Sequence, residues 1–236
     1  LFERPEDSPW PIFCGGVASS RRAAIALGCQ PTEVVDVMEH ALEPAHGIGP
    51  VMADSAPWQA NTVVGDDVDT ALLPIPVHSR GDGGAFITGA VTVARDPISG
   101  RGNLGYNRML RIDRTHFGFN VNEWRDVGTF WKSREDPDAT FPVVLAIGLD
   151  PAVMIAAGVK TPVDELFIAG AIRGRGIEVC RATTVDVNVP VDAEVVVEGL
   201  LHPTVRKSEG PLAEFHGYHG EAWNSPTFEV TAISWR

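Results

Sequence analysis

Turn-forming residues constrain this chain more than anything else in it. The 236 residues include 24 glycines and 18 prolines. Proline removes a backbone donor and glycine admits positive φ, so both interrupt helices and strands. Their density favours a loop-rich α+β fold over a helical bundle. Hydrophobic residues make up 44% and charged residues 21%, which suits a packed core rather than disorder. The length allows one large domain or two small ones.

Net charge is -12, which sets the surface against nucleic acid and anionic membranes. A phosphorylated ligand would need local neutralisation, for which a metal ion would serve. Cys14, Cys29 and Cys180 form no CxxC pair, and so sparse a set suits a reducing, cytoplasmic setting with buried thiols. No run of ~18 apolar residues reads as a membrane span. Leu1-Phe-Glu-Arg-Pro-Glu-Asp7 is not a signal peptide and lacks an initiator Met, so the chain reads as an excised piece or one subunit of something larger.

Local signals place the elements. Trp10–Cys14 reads as a short buried strand. Ser19 and Ser20 can cap a helix that Gly28 stops, and Thr32 can cap a second through Met38 and Leu42. A Pro/Gly-rich connector runs from Glu43 to about Trp58. Phe86–Ala94 and Leu104–Ile112 read as two strands of a hairpin around a turn at Asp96–Gly102, which puts Arg108 in mid-strand. Phe141–Ile147, Thr184–Val189, Glu194–Gly199 and Thr231–Arg236 also have strand patterns. Asp150-Pro151 opens a helix that closes at Gly158. Thr161-Pro162 opens the next, with Glu165 in its first turn. The sum is an α+β domain built on a β-barrel or strongly curved sheet.

Chemistry concentrates in three residues. Glu209 and Glu214 end the segment Glu209-Gly-Pro-Leu-Ala-Glu214, whose Gly-Pro step predicts a shaped loop. Two carboxylates beside an arginine can divide into a permanent anion and a proton carrier. A fixed Arg108 can grip a carboxylate bidentately. The bland alternative is an acidic surface loop and an exposed strand arginine. No HExxH or clustered histidine marks a metal site. His216 and His219 lie near the acidic pair. Gly81–Gly84 and Gly170–Gly176 read as turns, with Arg173 and Arg175 as candidate anion contacts.

Several segments together resemble the UbiD-type decarboxylases: Leu73-Pro-Ile-Pro-Val-His-Ser-Arg-Gly-Asp82, Asp96-Pro97, Asn103 through Arg108, Ala146-Ile-Gly-Leu-Asp-Pro151, Asp164-Glu165, Ala169-Gly-Ala171, Val197-Glu-Gly199 and Glu209 to Glu214. The resemblance implies an antiparallel split β-barrel, flavin-reductase-like, with peripheral helices. Residues 59–236 would form that domain and 1–58 its helical and connector part. It implies reversible, non-oxidative decarboxylation of an aromatic or α,β-unsaturated acid with prenylated FMN, anchored through manganese and often potassium. Arg108, Glu209 and Glu214 would be the catalytic network, with Glu214 as proton carrier and Glu209 holding Arg108. Asn103, Leu104, Gly105, Tyr106, Asn107, Arg108, Asp126 and Glu165 would bind the cofactor.

Asn103 and Glu165 match two of the family's three metal ligands. The third is a histidine in the family; here Asp126 stands near that place and His116 comes earlier. Aspartate suits a hard, oxygen-preferring cation. Family members usually continue into a C-terminal domain for oligomerisation, absent after Arg236 in this chain. The expected partners are therefore a small carboxylic acid and either further copies of the chain or a subunit supplying that domain. The main alternative is a non-catalytic, cofactor-holding subunit of a multi-subunit carboxylase. An ordinary FMN oxidoreductase is the weaker one.

Overall fold

A computed structural model describes residues 1–5 and 8–236. Its helices are α1 (Ser20–Leu27), α2 (Val34–Leu42), α3 (Asp126–Lys132), α4 (Pro151–Ala156) and α5 (Glu165–Arg173). The strands are β1 (Val51–Met52), β2 (Asn61–Val64), β3 (Phe86–Ile87), β4 (Val91–Arg95), β5 (Gly102–Tyr106) and β6 (Met109–Arg111). They continue as β7 (His116–Phe119), β8 (Phe141–Ile147), β9 (Glu178–Arg181), β10 (Asn188–Pro190), β11 (Val195–Glu209) and β12 (Trp223–Trp235).

The main sheet runs β3-β6-β7-β12-β11-β8-β4-β5, with β2 also paired to β12. All its pairings are antiparallel. It curls into a half-barrel around the long β11–β12 pair, whose register shifts between Glu198 and Gly199 and again between His202 and Arg206. Such bulges bend and twist the strands that carry them. A small sheet, β1-β9-β10, packs to one side. The expected α+β half-barrel with few helices is what forms.

Both faces of the central strands are buried. Along β8, Phe141, Val143 and Leu145 enter one core with Phe117, Phe228 and α3; Val144 and Ala146 enter the other with α4, α5 and the small sheet. The period of two in a strand explains this division. It also explains why Phe141–Ile147 reads as one continuous apolar run rather than an alternating one.

Helix ends follow local chemistry. The Ser19 side chain accepts from the Arg22 amide, and Gly28 closes α1 at φ 73. The Asp150 side chain accepts from the Ala152 amide with Pro151 at the first helical position of α4. Other expectations need correction. The N-cap of α2 is Glu33, without a side-chain cap bond; Thr32 is not used. Asp164, not Thr161, caps α5: its side chain accepts from the Leu166 amide, while the Thr161 hydroxyl accepts from the Val163 amide in a separate local turn before the helix. Trp10–Cys14 is not a buried strand: Ile12 makes one bridge to Phe2 and Phe13 is exposed. Of the cysteines only Cys180 is buried. Thr184–Val187 is bent, irregular chain, with strand only from Asn188.

The most consequential correction concerns the hairpin. The β4–β5 hairpin forms around the predicted turn. Yet the run Phe86–Ala94 divides into β3 and β4, and Leu104–Ile112 divides into β5 and β6. In each case the halves pair at opposite ends of the curled sheet: β4 and β5 with β8's side, β3 and β6 with β7's. Arg108 therefore lies in the gap between β5 and β6, not in mid-strand.

Candidate active site

Arg108 is held where the chain changes sheet partners. Its carbonyl accepts from the Asn120 amide at 3.2 Å, and the neighbouring Asn107 side chain donates to the Asn120 carbonyl at 3.0 Å. The guanidinium then forks. Nε donates to Glu209 Oε1 at 2.9 Å, Nη2 to Glu209 Oε2 at 3.2 Å, and Nη1 to Glu214 Oε1 at 2.7 Å. The pair with Glu209 is a bidentate clamp.

The two carboxylates sit in different surroundings. Glu209 is the last residue of β11 rather than part of a loop, and its side chain is 0% exposed. Asn120 Nδ2 donates to its Oε2 at 3.1 Å, a contact for which the sequence carries no spacing signal. Glu214, on the following loop, keeps 37% exposure and faces a cleft of about 990 Å³. A sealed anion and an open one thus share a single arginine.

The same cleft holds the second cluster. Asn103 Nδ2 donates to Glu165 Oε1 at 3.1 Å and lies 3.4 Å from Asp126 Oδ2. The Leu104 amide donates to Glu165 Oε2 at 2.7 Å, and Arg101 Nη1 pairs with Asp126 at 3.2 Å. Glu165 begins α5, where the helix dipole favours a carboxylate. Burial pushes its carboxyl up to about 7, and the nearby Asp164 and Asp126 charges add to the push. Two carboxylates and an amide that can present its oxygen make an all-oxygen donor set for a hard divalent cation. A cation there would offset the crowded negative charge, so these residues fit one. Among the described residues no trio of His, Cys, Asp or Glu forms a metal site; the set needs the asparagine.

Leu104, Gly105, Tyr106 and Asn107 line the stretch of cleft between the clusters, and Arg125 and Lys160 bring positive charge to it. The ten sequence candidates therefore gather in one place: nine line the cleft and Glu209 backs Arg108 from behind. Other motifs do not join them. Arg173 pairs with Asp150 and does not line the cleft, and His116 pairs with Asp113 at 2.9 Å. Arg101, paired with Asp126, and Asn120, bonded to Glu209, belong to the site without any motif in the sequence to mark them. No membrane-length apolar helix occurs among the described residues.

The fold is thus a curled antiparallel half-barrel with a cleft of mixed polar and apolar lining. A family model described as UbiD, 3-octaprenyl-4-hydroxybenzoate carboxy-lyase Rift-related domain, matches residues 50–236. The chain belongs to the UbiD family. It is similar to an evolved dimeric form of the UbiD-class enzyme HmfF from Pelotomaculum thermopropionicum, solved with prFMN. That match has a TM-score of 0.94 and 33% identity, over 100% of this chain and 56% of the other. It is also similar to the apo 3,4-dihydroxybenzoic acid decarboxylase AroY of Klebsiella pneumoniae, with a TM-score of 0.88 and 30% identity, over 98% and 51%. The vanillic acid decarboxylase of Sedimentibacter hydroxybenzoicus shares the fold, with a TM-score of 0.89 at 24% identity. The chain spans about half the length of these solved structures.

Proposed function

We propose that this chain is the prenylated-flavin-binding part of a reversible, non-oxidative decarboxylase acting on aromatic or α,β-unsaturated carboxylic acids. The observation that carries this reading is the single cleft with Arg108 forked between Glu209 and Glu214 at one end and the Asn103, Asp126 and Glu165 oxygens at the other. Loss of carbon dioxide leaves an electron pair that no side chain in the cleft can accept. Prenylated FMN, when bound, supplies that sink. Asn103, Asp126 and Glu165 would hold a divalent cation, manganese in this reading, through which a protein of net charge -12 tolerates the cofactor phosphate.

The remaining work belongs to the chain. Arg108 offers its guanidinium to the substrate carboxylate and keeps Glu214 in place. Glu209, sealed and doubly bonded to Arg108, fixes the direction of that guanidinium. Glu214 delivers a proton to the carbon that lost carbon dioxide, and its open side lets solvent restore the proton. Replacement of Glu214 with Gln should cut both carbon dioxide release and deuterium incorporation from solvent by about a hundredfold or more. Wild-type rates in both assays would refute the assignment.

One observation favours a second reading. Trp124, which lines the cleft, is 89% exposed, and Phe215 and Tyr218, on the loop that carries Glu214, are 101% and 74% exposed. In a cofactor-holding subunit a partner would cover that aromatic rim. Assaying the flavin- and manganese-loaded chain alone and with candidate partners separates the two, since full turnover alone rules out the subunit reading.

A further inference from the structure

The loop that carries Glu214 has little sheet support of its own. Between β11 and β12 it makes one internal bridge, Ala213 to His219, and closes on itself through Glu214 N to the Tyr218 carbonyl at 2.8 Å and Gly220 N to the Leu212 carbonyl at 2.9 Å. Beyond the Arg108–Glu214 pair and the packing of Leu212 with Phe86 and Leu110, its ties to the rest of the molecule run to another loop, residues 79–84. The Gly83 amide donates to the Pro211 carbonyl at 2.8 Å. Asp82 Oδ1 accepts from the Ala213 amide at 2.8 Å while its Oδ2 accepts from the Ser79 amide at 2.7 Å. His219 Nε2 lies 3.5 Å from Asp82 Oδ1 and 3.4 Å from the Ser79 hydroxyl.

The docking is close enough to need glycine. A Cβ on Gly83 would overlap the Gly210 carbonyl oxygen, and one on Gly81 would come within 2.5 Å of His219 Nε2. The Asp82 side chain is 0% exposed. Burial pushes its carboxyl up, but the Ala213 and Ser79 amides and the His219 ring outweigh that, so it stays below its ordinary value. A buried anion held by two backbone amides is a rigid fixture, because either amide left without its acceptor would be an unsatisfied donor. Ala213 directly precedes Glu214, so the Asp82 bond fixes the backbone from which the Glu214 side chain departs toward Arg108.

We propose that Asp82, braced by Ser79 and His219, is the positioning residue for Glu214: it holds the Ala213 amide and thereby sets the aim of the proton carrier. This rests on the reading of Glu214 given above. The test is Asp82→Asn in the flavin- and manganese-loaded protein. An asparagine can accept from one amide but turns its own donor on the other. Amide exchange should speed up by about tenfold within residues 211–219 and stay unchanged in β8 and β12. In turnover, kcat should fall by about tenfold or more with KM held within about twofold. In a Glu214→Gln background the same change should cost nothing further in kcat.

Unchanged exchange in residues 211–219, or a kcat loss that persists undiminished on Glu214→Gln, would overturn the proposal. If Asp82→Asn does not fold, Ala213→Pro decides by the same readouts, since it removes the amide that donates to Asp82 while leaving the Ser79 bond and the loop's own hydrogen bonds in place. If the wild-type chain shows no decarboxylation, the functional reading fails, and the exchange experiment still decides whether Asp82 anchors the loop.

Discussion

Removing Arg108 while leaving its partners should expose how much the molecule depends on the clamp. In Arg108→Met the aliphatic stem survives but three hydrogen bonds go, two to Glu209 and one to Glu214. Glu214 can turn to solvent. Glu209 cannot: it is fully buried, and Asn120 Nδ2 is the one side-chain donor left to it in the network. Breaking a buried pair from one side costs about 3–5 kcal/mol. For a chain of this size that lowers the melting temperature by roughly 10 °C. Replacing both partners, as in Arg108→Met with Glu209→Leu, should recover most of the loss, because an apolar pair of similar volume is often neutral. The assay is thermal unfolding of the flavin-free protein at neutral pH, with both single changes and the double. A melting point for Arg108→Met within a degree or two of wild type would refute the reasoning, as would a double variant whose loss equals the sum of the singles.

Three further outcomes follow from the site. Glu165 has its carboxyl raised from 4.5 to about 7, so the folded protein holds a proton there that the unfolded chain has lost. Without metal, stability should fall as pH rises from about 4.5 to about 7, by roughly 3 kcal/mol in all, and Glu165→Gln should flatten that slope. Manganese should raise the melting temperature more at pH 8 than at pH 5, because it competes with the proton; equal shifts would remove Glu165 from the ligand set. Gly220 lines the cleft, and a Cβ on it would sit 3.5 Å from Glu214 Oε1 and 3.7 Å from Arg108 Nη1, ordinary contact distances. Gly220→Ala should leave the melting temperature unchanged and weaken turnover of bulky acids more than small ones, and unaltered selectivity would place the substrate elsewhere.

Much of the fold could be read without coordinates because its signals are local. Ser19, Gly28, Asp150 and Pro151 mark helix ends, and each acts on backbone groups a few residues away. The strand signals at Phe86–Ala94, Phe141–Ile147 and Glu194–Gly199 are equally short-range, though the first divides into β3 and β4. The capping of α5 shows the limit: Thr161-Pro162 and Asp164 are all credible starts, and packing of Leu166, Ile168 and Ala169 into the core chose the last.

The ordered run of motifs that resembles the UbiD family was enough to single out Arg108, Glu209, Glu214, Asn103, Asp126 and Glu165, since each motif is a short stretch of sequence. Their environments were not readable, because burial and hydrogen bonding join positions far apart in the chain. Leu104–Ile112 reads as one strand, yet the curled sheet changes partners at Asn107 and Arg108, and the arginine lines the cleft. The β11–β12 pair carries Glu209 out of solvent, and Asn120 reaches it across 89 residues of sequence. A loop that looked like a simple glycine turn, Gly81–Gly84, becomes an anchor only once the tertiary structure lays Asp82 against Ala213. Identity is a property of the sequence; which carboxylate is sealed and which is open is a property of the packing, because only packing decides where water is excluded.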